Sequence, residues 1–131
     1  YLHNNIKPVV LPLHPRTRKV IENLNLDLNV TVIEPVGYLE MLWLLKNCSL
    51  VVTDSGGVQK EAFFFNKPCV TMRDQTEWVE LIEEGVNMLA GADTQTIIDS
   101  TIKMLGKEIL DSKNLYGGGN ASIKIVEHLT V

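Results

Sequence analysis

Five short apolar runs, each separated from the next by a stretch of helical periodicity, constrain this chain more than any other feature. They are residues 8–13 (PVVLPL), 30–35 (VTVIEP), 50–53 (LVVT), 68–72 (PCVTM) and 86–90 (VNMLA). Near-continuous apolar strands, rather than alternating ones, belong to sheets covered on both faces. Between them, Val20, Ile21 and Leu24 mark a short amphipathic helix. Residues 37–47 (GYLEMLWLLKN) are apolar nearly all round, which predicts a buried helix. Val58, Ala62 and Phe65 then share one face at i, i+4, i+7. A capping box over Asp74–Gln75–Thr76–Glu77 predicts a helix that runs through Glu84 and is closed by Gly85. Asp93 or Thr94 caps a longer helix whose apolar stripe is Ile98, Ile102, Leu105 and Ile109. After the glycines at 117–119, residues 121–129 form a terminal helix. Strands alternating with helices in this way predict an α/β fold, a parallel sheet with helices on both faces.

A chain of 131 residues makes one domain and can bury a core. Its net charge is −4, and its 12 Lys and Arg residues form no run, which argues against a nucleic-acid partner bound through its phosphates. No apolar run approaches the ~18 residues of a membrane span, so no membrane partner is expected. Cys48 and Cys69 share no metal or redox spacing and sit among apolar residues. Buried, reduced thiols and a cytoplasmic location follow as expectations. The first residue is Tyr1, and residues 1–7 read as the end of a helix already under way, so a fragment is expected.

In open parallel sheets, ligands lie beyond the carboxyl ends of the strands. The richest turn there is Asp54-Ser55-Gly56-Gly57, directly ahead of a helix. Backbone amides at a helix start face outward with about half a positive charge, and glycine brings no Cβ to hold an anion away. Ser55 adds a hydroxyl donor. Glu61 lies four residues past Gly57, roughly 6 Å along the axis. A ribose attached to a diphosphate on the helix start falls about there, and a carboxylate accepts from both of its hydroxyls. A plain tight turn with Glu61 on a solvated face explains the same residues, and the pattern alone leaves both readings open.

The ordered series Thr53, Asp54, Ser55, Gly56, Gly57, Gln59, Glu61, Ala62, Lys67, Pro68, Arg73, Asp74, Thr76 and Glu77 closely resembles the non-hydrolysing UDP-N-acetylglucosamine 2-epimerases. The tail 114-NLYGGGNAS resembles them too, with Leu115 where the family has proline. The match covers essentially the whole chain. It implies a Rossmann-like half of a GT-B-type two-domain enzyme, with residues 1–131 as the carboxyl-terminal, UDP-binding domain. By resemblance, Ser55, Gly56 and Gly57 hold the diphosphate and Glu61 the ribose. Val36 and Gly37, backed by Tyr38 and Met41, border the uracil. Arg73 meets a phosphate or sugar, or else is a surface arginine paired with Asp74 or Glu77. His14 lies at the cleft, or is an ordinary loop histidine.

The implied chemistry is elimination of UDP across C1–C2 and re-addition to the other face. The acid–base carboxylates belong to the amino-terminal domain, so no catalytic residue, metal or cofactor is expected in this chain. Its implied partners are a UDP-sugar, the missing amino-terminal domain and, in the intact parent, a second copy. Thr76-Glu77-Trp78-Val79 departs from the T-E-R-P of many members and looks like the branch that acts on UDP-2,3-diacetamido-2,3-dideoxyglucuronic acid. Two rival readings are half of a GT-B glycosyltransferase and a stand-alone nucleotide-sugar sensor. The resemblance also implies a missing central strand between residues 8–13 and 49–54. Two closures are expected: direct pairing of those strands, or cover from a second copy. His3 and His128 are expected in solvent, and Trp43 and Trp78 in the core or an interface. Phe63, Phe64 and Phe65 are too apolar for one buried face.

Overall fold

The computed structural model describes residues 1–110 and 114–130. Along the chain these form α1 (Leu2–Asn5), β1 (Val10–Pro12), α2 (Pro15–Asn23), β2 (Thr31–Ile33), α3 (Tyr38–Asn47), β3 (Val51–Thr53) and α4 (Gly56–Phe64). There follow β4 (Cys69–Thr71), α5 (Val79–Glu83), β5 (Asn87–Leu89), α6 (Thr94–Met104), a 3-10 turn at Gly117–Gly119 and α7 (Ala121–Leu129). Each strand falls within one of the apolar runs, and every pairing is parallel.

The register explains how helices cover both faces. Val51 pairs with Cys69, and Val52 with Val70. Successive side chains of a strand point to opposite faces. Val51 and Cys69 therefore pack with Leu45 of α3 and Ala62 of α4. Val70, with the half-buried Val52 and Met88, packs against Met104 and Ile97 of α6. A third cluster joins Phe63, Leu81, Val86 and Ile109, with Leu115 and Tyr116 of the tail against it. The phenylalanine stretch is thus divided. Phe63 enters this cluster, Phe65 packs against the first, and the exposed Phe64 meets Tyr116 edge-on at 5.4 Å.

The strands form two sheets, β1–β2 and β3–β4–β5. Direct pairing of β1 with β3, one of the two expected closures, is not adopted. The hydrogen bonds give a reason. Thr31 N–H donates to Val9 and Leu13 N–H to Ile33, so odd-numbered residues of the β1 segment face β2. The other edge carries Pro12, which has no N–H to offer a neighbouring strand. The two sheets are linked instead where they begin, by Lys7 Nζ donating to Ser49 Oγ at 3.0 Å.

Three other expectations need correction. Helix α3 is not buried all round: Leu45 is its one buried residue, while Tyr38, Leu39 and Trp43 are exposed. It packs on α4. Helix α6 stops at Met104 and turns Ile97, Ser100, Thr101 and Met104 inward, leaving Ile102 half-exposed. Ile109 is buried from beyond the helix end. No helix opens at Asp74; α5 starts at Val79, because Thr76 Oγ1 is engaged with Gln59 and with Trp78 N–H rather than with a helical turn. Other local readings hold. Gly85 ends α5 at φ +66, and Asp93 caps α6 by accepting from Thr96 N–H at 2.8 Å.

Candidate functional site

Strand β3 delivers the chain to α4 through a tight turn, in which Ser55 N–H donates to Thr53 Oγ1 at 3.0 Å. Ser55 is the extended N-cap residue, and its hydroxyl makes no capping bond. The first intrahelical bond runs from Gln59 N–H to the Ser55 carbonyl. The amides of Gly56, Gly57 and Val58 precede it and so lie at the positive end of the helix without an intrahelical acceptor. Ser55 and Gly57 are exposed.

The two glycines meet different surroundings. Among the described residues, nothing beyond its chain neighbours and the backbone of α4 lies within 4 Å of where a Cβ of Gly57 would be, so the side-chain position there is open. A Cβ on Gly56 would overlap Oε1 of Glu77. The absent side chain at Gly56 is what lets this carboxylate come down on the helix start.

Glu77 belongs to residues 73–78, an irregular strap between β4 and α5 that crosses the start of α4. Several side-chain bonds seat it. Trp78 Nε1–H donates to the Gly56 carbonyl at 2.8 Å, and Thr76 Oγ1–H to Gln59 Oε1 at 2.7 Å. Arg73 Nη1 bonds Glu77 Oε2 at 3.1 Å. Lys60 Nζ stands 4.1 Å from the centre of the Trp78 ring and 4.3 Å from that of Tyr116. Beneath the strap, Gln59 Oε1 also accepts from Asn87 Nδ2 at 3.0 Å, and Asn87 Oδ1 accepts from Thr71 Oγ1 at 2.9 Å. Gln59, Asn87 and Thr71 are all fully buried. Asp74 Oδ1 lies 2.8 Å from where a Cβ of Gly91 would be, so the turns after β4 and β5 also touch. Sequence reasoning counted Gln59 in the motif series without giving it this anchoring role. The available signal was an amide on the otherwise apolar inner side of α4.

The remaining expected site residues divide by sheet. Glu61 is half-buried, one turn beyond Gly57, with no partner for its carboxylate among the described residues. Arg73 is paired with Glu77, the surface-pair alternative. His14 is the N-cap of α2, where Nδ1 accepts from Arg16 N–H at 3.2 Å, and its ring is exposed. Val36 is half-buried and Tyr38 exposed, while Met41 packs into the cluster of Leu45, Val51, Ala62 and Cys69. His14 and Val36 follow strands of the β1–β2 sheet, so the structure joins the turns after β3, β4 and β5 more closely than it joins these to them. His3 is not free in solvent: its Nδ1 accepts from Val9 N–H at 3.0 Å.

Burial pushes the Cys69 thiol up to about 12 and raises Cys48 as well; both cysteines are free. The Tyr116 hydroxyl, 2.7 Å from Glu80 Oε1, holds the Glu80 carboxyl below its usual range. Among the described residues no helix is long and apolar enough to cross a membrane.

Parallel strands covered by helices, with a glycine-lined helix start at the carboxyl edge of the β3–β4–β5 sheet, define a Rossmann-like α/β arrangement. The sequence matches the family described as UDP-N-acetylglucosamine 2-epimerase over residues 2–130, and the chain belongs to that family. It is 66% identical over 125 residues to a UDP-2,3-diacetamido-2,3-dideoxy-D-glucuronate 2-epimerase of Pseudomonas aeruginosa, covering 95% of this chain and 35% of the relative. It is 42% identical over 130 residues to a UDP-N-acetylglucosamine 2-epimerase of Methanocaldococcus jannaschii, again covering 95% of this chain and 35% of the relative. The crystal structure of the M. jannaschii UDP-GlcNAc 2-epimerase in complex with UDP-GlcNAc and UDP superposes with a TM-score of 0.84 at 41% identity, covering 98% of this chain and 37% of that one. The chain therefore spans about a third of the length of the relatives it matches.

Proposed function

We propose that this chain is the UDP-holding, carboxyl-terminal part of an enzyme that inverts C2 of a UDP-linked 2-acetamido sugar. The observation that carries the reading is the open side-chain position of Gly57 at the start of α4, with Glu61, whose carboxylate has no partner among the described residues, one turn further along. The amides there receive the diphosphate, and Glu61 accepts from the ribose hydroxyls. In the reaction a base takes the C2 proton while the C1–O bond breaks and its electron pair leaves on UDP, forming a glycal. UDP returns to C1 and a proton is delivered to the other face of C2. This chain's share is to stabilise the departing diphosphate with preorganised amides and the helix dipole. The carboxylates that move protons come from an amino-terminal domain, and the intact parent is a homodimer of the cytoplasm, where free thiols such as Cys48 and Cys69 stay reduced.

Interconversion of UDP-GlcNAc and UDP-ManNAc is the reaction that the family's description suggests. One observation favours the 2,3-diacetamido-2,3-dideoxyglucuronic acid derivative instead. Identity is 66% to the relative named for that sugar and 42% to the one named for UDP-N-acetylglucosamine, and Trp78-Val79 departs from the commoner family pattern in the same direction. Activity assays on the intact parent enzyme with both UDP-sugars decide between them.

Calorimetric titration with UDP tests the site. Glu61→Ala and Gly57→Val should each weaken binding by about tenfold or more, through lost charge-assisted hydrogen bonds and a blocked amide face respectively. Wild-type affinity in both variants would overturn the assignment.

A further inference from the structure

An anion already stands beside the first residue of α4, and it belongs to the chain itself. The Glu77 carboxylate lies against Gly56 so closely that a methyl group there would overlap Oε1. Its other oxygen is held by Arg73 at 3.1 Å. Glu77 and Arg73 keep 48% and 37% of their side-chain surface exposed, so neither is locked in by packing.

We infer that Glu77 is an internal rival for the diphosphate seat, and that Arg73 is the cation for which the two compete. This rests on the nucleotide reading above and concerns how that site is regulated. A carboxylate at a helix start is favoured by the same dipole that favours phosphate. A diphosphate on the Gly57 amides brings further negative charge within a few ångströms of Glu77, and like charges at that range repel. Glu77 must therefore leave as the diphosphate arrives, and Arg73 passes from one to the other. Planar guanidinium suits this exchange, since it binds carboxylate and phosphate oxygens in the same forked geometry.

The strap is built so that Glu77 can leave alone. Its seat depends on Trp78 Nε1–H to Gly56 and Thr76 Oγ1–H to Gln59, neither of which uses the Glu77 side chain. Gln59 Nε2 lies buried beneath with no acceptor among the described residues, so the strap's seat is not fully satisfied. The pair thus sets the affinity of the site and guards Arg73 and the glycine turn against stray anions.

The test is calorimetric titration of the 131-residue chain with UDP at low salt, comparing wild type, Glu77→Gln, Glu77→Asp and Arg73→Gln. Glu77→Gln keeps the shape and removes the charge, and should bind UDP about three- to tenfold more tightly. Glu77→Asp draws the carboxylate back from Gly56 and should give a smaller gain, and Arg73→Gln should lose affinity. With Trp43 replaced by Phe throughout, the fluorescence of Trp78 reports whether the strap has kept its seat in each variant. If Glu77→Gln and Glu77→Asp both bind UDP no better than a wild type that binds measurably, the rivalry is overturned and the nucleotide site stands. If neither wild type nor any variant binds UDP at millimolar concentration, the nucleotide reading and this inference fall together.

Discussion

The indole Nε1–H of Trp78 donates to the carbonyl of Gly56 at 2.8 Å, across 22 positions of sequence. It fastens the strap after β4 onto the first residue of α4. Trp78→Phe keeps an aromatic face for Lys60 but removes the donor. Thermal unfolding should show a loss of about 1 kcal/mol, the usual net worth of one such bond, together with a shift in Glu77-dependent UDP binding.

Gln59 is a second fastening, and a buried one. Gln59→Leu would leave the half-buried Thr76 Oγ1 and the fully buried Asn87 Nδ2 without their shared acceptor. Urea unfolding should report a destabilisation of about 1–3 kcal/mol, the cost of unsatisfied buried groups. A neutral result would mean that the network contributes nothing to the seat of the strap.

Asp93 gives the fold a pH dependence of known sign. The Thr96 hydroxyl first, and then the Thr96 amide, holds its carboxyl below the usual range. A native pKa below the unfolded value contributes stability that is present above the unfolded value, ~3.9, and is lost as pH falls through the native one. Asp93→Ala should therefore lower Tm at pH 7, with the gap from wild type closing under acid. Asp93→Asn should keep the cap and lose this pH dependence.

The cysteines should differ in reactivity. With its thiol pushed up to about 12 by burial, Cys69 has almost no thiolate at pH 8. Alkylation followed by mass spectrometry should find Cys48, which is only half-buried, modified before Cys69. Cys69 should react only after denaturant is added. Equal labelling in the native protein would contradict its burial.

Much of the fold was legible because its causes are local. Each apolar run contains its strand, the glycine turn lies between β3 and α4, Asp93 caps α6, and Gly85 ends α5. The failures share one origin, in contacts between distant segments. The capping box at Asp74 lost to a better offer, since Thr76 found Gln59, 17 residues back. Helix α6 offered two apolar stripes, and Val70 and Ala90 selected the one with Ile97 and Met104. Helix α3 reads as buried because buried and partly uncovered helices can share a composition.

The sequence by itself determined the alternation of strand and helix, the parallel pairing and the glycines at the start of α4. Backbone preference and side-chain period act over a few residues, and those residues are adjacent. Only the tertiary structure decided that Glu77 lies on Gly56, that Arg73 pairs with it, and that β1 and β3 stay apart. A carboxylate 21 positions from a glycine has no local preference for it; the packing of β4 against β3 brings the two to the same edge.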